Sequence, residues 1–441
     1  MMRMFRTAVA TLGVVAALPG GVAAQLSPVP AANGVAGAYL TLARGHEALW
    51  INPANLGLAG GPSVSLGLAN FGASFSALGL DLEQVRKLAN GGTFDAAARA
   101  QILGKIPSDG ANIRGQVLVP VIGLQIGKLA FGLGAGAVYD YNVGRDMVDL
   151  DLNGYNQSRV DYRIGNTNGR QATFFDAAVA YGQRFGPIAL GVTGHYIVPR
   201  AIDNWRIFEP EFDLVNRTMR MQAFTAGTNA GSGFSVDVGG TANLGILTVS
   251  AVLQNVAGNV TWNEDNLAYR QFTLDNTNVG DAGEVLADQF SAGTTPLTAT
   301  SPLGAIQTAN GLFSRAFLPR TLRVGSHLKL PVLGTRVSAQ YNNQLQEGFL
   351  GGFWKSSVSV GLAQKILFFT PSIGYARQLS GAETTLSSVV AAAQAQSDGQ
   401  LLTAGLALGP LNIAVAQLTD GRRSNTDREG LMVSVGLTLG F

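Results

Sequence analysis

The chain has 441 residues, of which 46% are hydrophobic and only 13% charged, with a formal net charge of +2 and no cysteine. Soluble domains carry about a quarter charged residues, so the composition argues against an ordinary soluble protein, and the near-neutral charge gives no reason to expect nucleic acid. Without cysteine there is no disulfide, thiolate nucleophile, cysteine-ligated metal or lipid-bearing cysteine.

The N-terminus has the layout of a cleavable secretory signal. Arg3 and Arg6 precede an apolar run at 7–18, and small residues follow at 22–24. The run is about a dozen residues, shorter than the roughly 20 that a membrane-spanning helix needs. We predict a signal peptide at 1–24 and a mature chain that begins near Gln25.

The next segment, 25–61, is too long and too apolar for an idle tail, and alternating strands follow it. We predict that it folds into the lumen of a β-barrel as a plug. Its apolar residues either line the path of a ligand or merely pack against the lumen wall. They are Leu49, Trp50, Leu56 and Leu58.

Residues 62–441 alternate between apolar and small or polar positions in segments separated by turn residues. This pattern predicts an all-β fold, a transmembrane antiparallel up-and-down β-barrel of about 14 strands, because lipid-facing positions alternate with lumen-facing ones. The predicted strands are 64–76, 113–126, 129–142, 172–185, 188–199, 234–244, 246–261, 321–330, 335–345, 356–366, 368–379, 401–408, 411–419 and 430–441.

The connections alternate between tight turns and long segments, as expected for short periplasmic turns and longer outer loops. The long segments are 77–112, 143–171, 200–233, 262–320, 346–355, 380–400 and 420–429. In the first of them, Thr93 could cap a short helix at 94–106 that lies over the barrel mouth. In the strand at 129–142, Tyr139 and Tyr141 end the lipid face as an interfacial aromatic pair.

The last strand alternates without a break until the chain stops on Phe441. A terminal strand that ends in an aromatic residue resembles the assembly signal of outer-membrane barrels. The resemblance implies two partners, the barrel assembly machinery through Phe441 and outer-membrane lipid around the barrel.

Charged or titratable residues fall at predicted inward-facing strand positions. They either form a polar track for a carboxylate or for water, or pair with one another or with the plug, since an unpaired buried charge is costly. They are Asp140, Asp176, Asp237, Arg323, His327 and Lys329.

No local motif supports catalysis or a metal site. The three histidines, His46, His195 and His327, lack ligand spacing and are expected to be hydrogen-bonded structural residues. We therefore predict no catalytic residues, no metal, no cofactor and no enzymatic activity.

The phrase Asn52-Pro53-Ala54, ahead of the first predicted strand, resembles the hatch of the FadL-type long-chain fatty acid transporters, which are fourteen-stranded barrels. Leu318-Pro319 before Val324-Gly325 is similar to the family's strand entry. PorV-like and plasmid-transfer barrels share the hatch phrase, and the sequence at 253–256 is similar to a phrase found there. Outside these phrases the resemblance is one of architecture rather than residue identity.

The resemblance implies a hatch that shifts so that an apolar ligand enters the lumen and leaves through a gap in the wall. Its first implication for function is a gated importer of hydrophobic small molecules such as long-chain fatty acids. The alternatives are a scaffold barrel that binds an exported protein partner through its outer loops, and a general porin.

Overall fold

The computed structural model describes residues 27–78, 94–106, 108, 110–154, 156, 162, 164, 167–207, 211–213, 218–228, 231–262, 268–278, 295–296, 318–330, 334–346, 354–381, 399–420 and 428–441. The predicted signal peptide lies outside these residues and remains a prediction, and Thr93, which was predicted as a helix cap, also lies outside them.

One antiparallel sheet contains every described strand. The strands are β1 Val64–Leu78, β2 Ala111–Ile126, β3 Leu129–Val143, β4 Asn168–Phe185, β5 Ile188–Ile207, β6 Glu211–Asp213, β7 Thr218–Thr228, β8 Gly231–Leu244, β9 Leu247–Trp262, β10 Ala268–Asn278, β11 Thr295–Pro296, β12 Arg320–Lys329, β13 Thr335–Gln346, β14 Trp354–Gln364, β15 Phe369–Gly381, β16 Gly399–Leu408, β17 Leu411–Asp420 and β18 Arg428–Gly440.

Fourteen of these strands close a barrel, which confirms the predicted fold class. The first and last strands pair with each other, with Ser65 opposite Gly440, and β1 also pairs with β2. The ring skips four strands, because β5 pairs with β8 and β9 pairs with β12. The skipped strands extend the sheet beyond the ring: β7 pairs with the far end of β5, and β10 pairs with β7.

The extension corrects two predicted loops, 200–233 and 262–320, which contain β6, β7, β10 and β11. It also corrects the end of β5, which was predicted at Pro199. The strand continues to Ile207 because Pro199 pairs with Phe174 and Ala201 with Thr173, which leaves Arg200 as the extra residue of a bulge. Proline lacks a backbone donor, and a bulge is one of the places where a strand tolerates it.

The two faces of each ring strand differ as the alternation predicted. In β3, Leu129, Phe131 and Leu133 are exposed on the outside, whereas Ala130 and Gly132 between them are buried. A continuous apolar outer face of this kind is what a membrane-spanning barrel presents to lipid.

The aromatic pair at the end of β3 contradicts its predicted place at the bilayer interface. Tyr141 is buried, stacks against Tyr139 and Trp205 at centroid distances of 5.9 and 6.1 Å, and donates to Gln171 Oε1 at 2.6 Å. The reason is the extension of β5, which brings Trp205 beside the pair, so that protein covers Tyr141.

The helices are short: α1 Pro30–Asn33, a 3-10 turn Gly45–Glu47, α2 Ala48–Ile51, a 3-10 turn Pro53–Gly57, α3 Ala96–Lys105 and α4 Arg145–Asn153. The predicted helix at 94–106 is α3, but its cap is Asp95, whose carboxylate accepts from Ala98 N at 2.7 Å. None of the described helices is both long and apolar enough to cross a membrane.

Candidate functional site: the luminal plug and its surroundings

Residues 27–58, called the plug below, run through the interior of the barrel and bond to its wall on several sides. Asn33 donates to Ser434 of β18, and Leu40 N donates to Gln340 of β13 at 3.0 Å. Across the barrel, Thr193 of β5 donates to Leu49 O at 3.3 Å. The contacts come mostly from wall side chains, so the plug is seated inside the barrel without joining its sheet.

Asn52-Pro53-Ala54 forms a buried capped turn at the centre of the plug. Asn52 is fully buried with extended backbone, its Oδ1 accepts from Ala54 N at 3.1 Å, and Pro53 opens the 3-10 turn that follows. The Asn52 amide donates to Thr241 Oγ1 of β8 at 2.9 Å. Thr241 in turn donates to Asn55 Oδ1 at 2.8 Å, so the turn and the wall share one hydrogen-bond network.

A row of three glycines on the wall makes room for this turn. Gly182 of β4 lies opposite Gly191 of β5, which lies opposite Gly239 of β8. A Cβ on Gly191 would lie 2.3 Å from Ala54 N, and one on Gly239 would lie 2.3 Å from Asn52 Oδ1. The turn therefore rests directly on the wall backbone, at a distance that only glycine permits.

The four predicted apolar residues of the plug have different surroundings. Leu49 and Leu56 are buried against wall alanines of β3 and β4, and Leu58 packs against Ala189 of β5. Trp50 lies with its ring 6.3 Å from that of His195, and its buried indole nitrogen has no hydrogen-bond partner among the described residues. Their role as a ligand path remains a prediction.

Asp140, on the inner face of β3, is the acceptor of a buried charge cluster. Its carboxylate lies 3.0 Å from Arg114 Nε and 3.1 Å from Arg170 Nη2, and Asn112 donates to it at 3.1 Å. The aspartate thus pairs with wall residues on the two neighbouring strands, an arrangement that favours a structural role.

Two further predicted carboxylates meet at a histidine. His195 Nδ1 lies 3.0 Å from Asp176, and its Nε2 lies 3.5 Å from Asp237 on the other side. Asp237 also accepts from Asn255 N at 2.8 Å at a bulge of β9. His195 thus has the polar contacts that were expected of the three histidines, whereas Nδ1 of His327 has no partner among the described residues. No set of three potential ligands that could hold a metal occurs in the described part of the chain.

The remaining predicted residues lie on β12 and do not join those clusters. The guanidinium of Arg323 faces Asp237 without reaching ion-pair distance, and its buried Nε has no acceptor among the described residues. His327 is buried near the end of the strand, while Lys329 is exposed at the rim. The predicted polar track is therefore divided into separate groups at different levels of the barrel.

One titratable pair belongs to the plug itself. Tyr39 OH donates to Glu47 Oε2 at 2.9 Å, with Arg44 and Arg336 as the neighbouring charges. Burial raises the pKa of the Glu47 carboxyl to about 7, although the bonds from Tyr39 and the Arg44 backbone oppose the shift. Burial lowers the pKa of His46 to about 4. The seated plug therefore favours a protonated Glu47 and an uncharged His46.

Plug stability should consequently depend on pH. Because the Glu47 pKa is raised from 4.5 to about 7, its contribution is complete below about 4.5 and is lost as pH rises through about 7. His46, whose pKa is lowered from 6.5 to about 4, has the opposite pH dependence, so the two effects nearly cancel up to about pH 6.5. In the intact chain we therefore expect amide protection across residues 39–51 to fall only about threefold, above about pH 6.5. Hydrogen exchange, corrected for intrinsic rates, measures it.

The matched variant for this experiment is Glu47→Gln, which keeps the hydrogen-bond acceptor but cannot ionise. It should abolish the small loss above about pH 6.5 and reveal the opposite dependence of His46, in which amide protection falls by up to about tenfold per pH unit as pH drops from about 6.5 towards about 4. Identical pH profiles in the two proteins would contradict the assignment to Glu47.

Several residues that build the site were missed from the sequence. Arg170 and Trp354 fell in predicted loops, yet Arg170 pairs with Asp140 and Trp354 is buried at the first position of β14. The alternation of β2 does place Arg114 inward, so that partner could have been found. The glycine row required the register of three strands.

No protein-family model matches the chain, and no curated protein matches it in sequence. Among solved structures, a ΔS2S3 mutant of the monoaromatic hydrocarbon channel TodX matches with a TM-score of 0.52 and 11% identity, over 96% of this chain and 100% of its own. A ΔS2 mutant of TodX matches with 0.50 and 13% identity, over 90% and 94%. The toluene transporter TbuX of Ralstonia pickettii matches with 0.46 and 14% identity, over 95% and 99%.

At these identities the likeness establishes the fold. The chain has the barrel fold of the TodX channel structures, and the predicted resemblance to FadL-type barrels is confirmed at the level of the fold.

Proposed function

We propose that this chain, which has the fold of the TodX channel, imports hydrophobic small molecules through a route gated by its plug, with long-chain fatty acids among them. The observation that carries the proposal is an apolar strip on the inner wall beside the plug. Its wall members, called the luminal strip below, are Trp354, Ala376, Leu401, Ala416, Leu418 and Met432, and Ala36 of the plug packs against them.

The luminal strip suits an alkyl or aryl ligand better than a hydrated solute. Trp354, Leu401 and Leu418 are buried side chains on inward strand positions, where an aqueous channel would carry polar groups. Each CH₂ that leaves water for such a surface gains about 0.8 kcal/mol. A ligand that replaces Ala36 of the plug at the luminal strip would keep these apolar side chains shielded from water.

Gating follows from how the plug is held. Its bonds to the wall run largely through side chains such as Gln340, Thr193 and Thr241, with Asn52-Pro53-Ala54 at the centre of the network. Single hydrogen bonds of this kind contribute about 1 kcal/mol each. A ligand that competes for the strip can therefore shift the plug without unfolding the barrel.

Uptake of labelled oleate by bacteria that lack their own long-chain fatty acid channel tests the proposal. The intact chain should restore uptake, and the double variant Leu401→Gln/Leu418→Gln should reduce it by about tenfold, because a polar amide in the strip disfavours apolar contact. The control, Leu401→Met/Leu418→Met, keeps the surface apolar and should change uptake less than about twofold.

Uptake equal to that of the empty vector, or equal in the glutamine variant and the methionine control at matched expression, would refute the proposal. Lipids that co-purify with the intact chain but not with a variant lacking 25–60 would implicate the plug in binding.

The competing scaffold function has one observation in its favour, the sheet extension of β7 and β10 beyond the barrel ring. Such an extension could dock an exported protein. Specific recovery of a partner protein from membranes, lost on deletion of 262–320, would support the scaffold function. Large and steady conductance in planar bilayers would instead support a porin.

A further inference from the structure

A cavity lies beside the short turns, at the end of the plug that contains Leu56 and Leu58. Its volume is about 490 Å³, and it opens between the last turn of the plug and the β2–β3 and β4–β5 connections. Short connections mark the periplasmic end of such barrels. The lining includes Leu56 and Leu58 of the plug, Pro62, Gln125, Lys128 and Arg184. The volume is in the range of small-molecule sites, roughly 300–1,000 Å³.

The charged residues of this cavity are both basic. Lys128 Nζ donates to Gln183 Oε1 at 2.8 Å, and Arg184 Nε donates to the backbone oxygen of Gly186 at 2.6 Å. Both bonds have neutral acceptors, so neither cation is neutralised by them. The lining contains no aspartate or glutamate. The apolar side chains of the lining are Leu56, Leu58 and Pro62.

The surrounding rim has the same sign of charge. Within the described residues, the charged side chains of the short connections and adjoining strand ends are all basic and exposed. The carboxyl end of Phe441 lies at the same end of the barrel, where its oxygen accepts from Ser63 N at 2.9 Å and from Ser63 Oγ at 3.1 Å. The nearest carboxylate of the plug, Glu47, is buried and bonded to Tyr39. A concave surface with charges of one sign concentrates ions of the opposite sign. The basic residues are Lys128, Arg184, Lys329, Arg336 and Lys365.

We propose that this cavity is a binding site for an amphiphilic anion, a single carboxylate or phosphate head on an apolar body. Lys128 and Arg184 bind the head, since a guanidinium and an ammonium make charge-assisted bonds to oxyanions. Leu56, Leu58 and Pro62 contact the apolar body. The site lies beyond the proposed import route, on the turn side of the plug rather than at the luminal strip, and its occupancy does not require transport.

The test uses the full mature chain in phosphatidylcholine nanodiscs and a photoreactive laurate with a terminal diazirine. Cross-links to peptides covering 55–62 and 183–186, located by mass spectrometry, report this cavity separately from the luminal strip. Lys128→Gln/Arg184→Gln should lower the apparent affinity at these peptides by about fivefold to tenfold, a modest effect because both cations are exposed. The matching dodecanol probe should be unaffected.

The control is Lys365→Gln, which removes a rim cation that does not line the cavity and should leave laurate labelling unchanged. Equal laurate labelling in the wild type and the double variant, or equal labelling by laurate and dodecanol, would overturn the proposal.

Competition distinguishes the two sources of the anion. Displacement of laurate by discs rich in phosphatidylglycerol identifies a lipid head group as the occupant, and displacement only by soluble dodecyl phosphate or laurate identifies a free amphiphile. If oleate uptake fails while this labelling succeeds, the import proposal falls and the site stands.

Discussion

Replacing Gly191 with alanine is expected to lift the Asn52-Pro53-Ala54 turn off the barrel wall and lower its amide protection at least tenfold. The added Cβ would lie 2.3 Å from both Ala54 N and the carbonyl carbon of Pro53. These are backbone atoms in a buried turn, so no side-chain rotation relieves the overlap, and the close packing of interiors leaves little room for a shift. Hydrogen exchange at residues 52–58 measures the loss, and single-channel conductance reports whether the lumen opens.

The control is another glycine on the same strand. A Cβ on Gly194 would have Val179 Cγ1, at 3.9 Å, as its nearest neighbour, which is ordinary contact, so Gly194→Ala should leave both readouts unchanged. Wild-type protection in Gly191→Ala would show that the turn is not seated on the wall as described. A similar loss in Gly194→Ala would point to a general effect on β5.

Alternation predicted the ring well because one physical rule governs every ring strand. Lipid outside and small or polar groups inside impose a period of two, and β3 and β18 follow it closely. The strands that extend the sheet beyond the ring do not have to follow this rule. The sequence of β7 also alternates, with Met219, Met221 and Ala223 between Arg220 and Gln222. This strand, however, pairs with the part of β5 beyond Pro199, the residue at which the sequence analysis predicted that β5 ends.

The site was predictable to the extent that single residues signal their role. The sequence analysis singled out Asn52-Pro53-Ala54, and in the structure this phrase forms a buried turn that Asn52 caps. Its partners could not be found this way. The turn contacts the wall at Gly191 because the register of three strands places their glycines side by side. The sequence around a single glycine does not show which segment packs against it.

The polar residues make the same point about pairing. Asp176, His195 and Asp237 lie on three adjacent strands, and only the register shows that the histidine lies between the carboxylates. Sequence reasoning grouped the two aspartates by their shared inward direction and treated His195 separately, as a structural histidine. The sequence does not show at which height along the barrel axis each residue lies, because that height depends on the shear between the strands.

Asp140→Ala is expected to lower the free energy of unfolding by about 3 kcal/mol, because it removes the carboxylate from a buried cluster that retains two guanidinium groups. The side chains of Asp140 and Arg114 are 9% and 6% exposed, so water cannot replace the lost acceptor, whereas Arg170, at 28%, is partly solvated. Urea unfolding in lipid vesicles, followed by tryptophan fluorescence, measures the change.

Removing the charge from both sides separates an ion-pair effect from a packing effect. In Arg114→Met/Asp140→Ala the buried Arg114 cation is gone as well, so the double variant should be less destabilised than the sum of the single variants. A coupling of about 1 kcal/mol or more would assign the loss to the pair at 3.0 Å. Strict additivity would instead mean that Arg114 is stabilised by its other contacts, and that Asp140 acts mainly through Asn112 and Arg170.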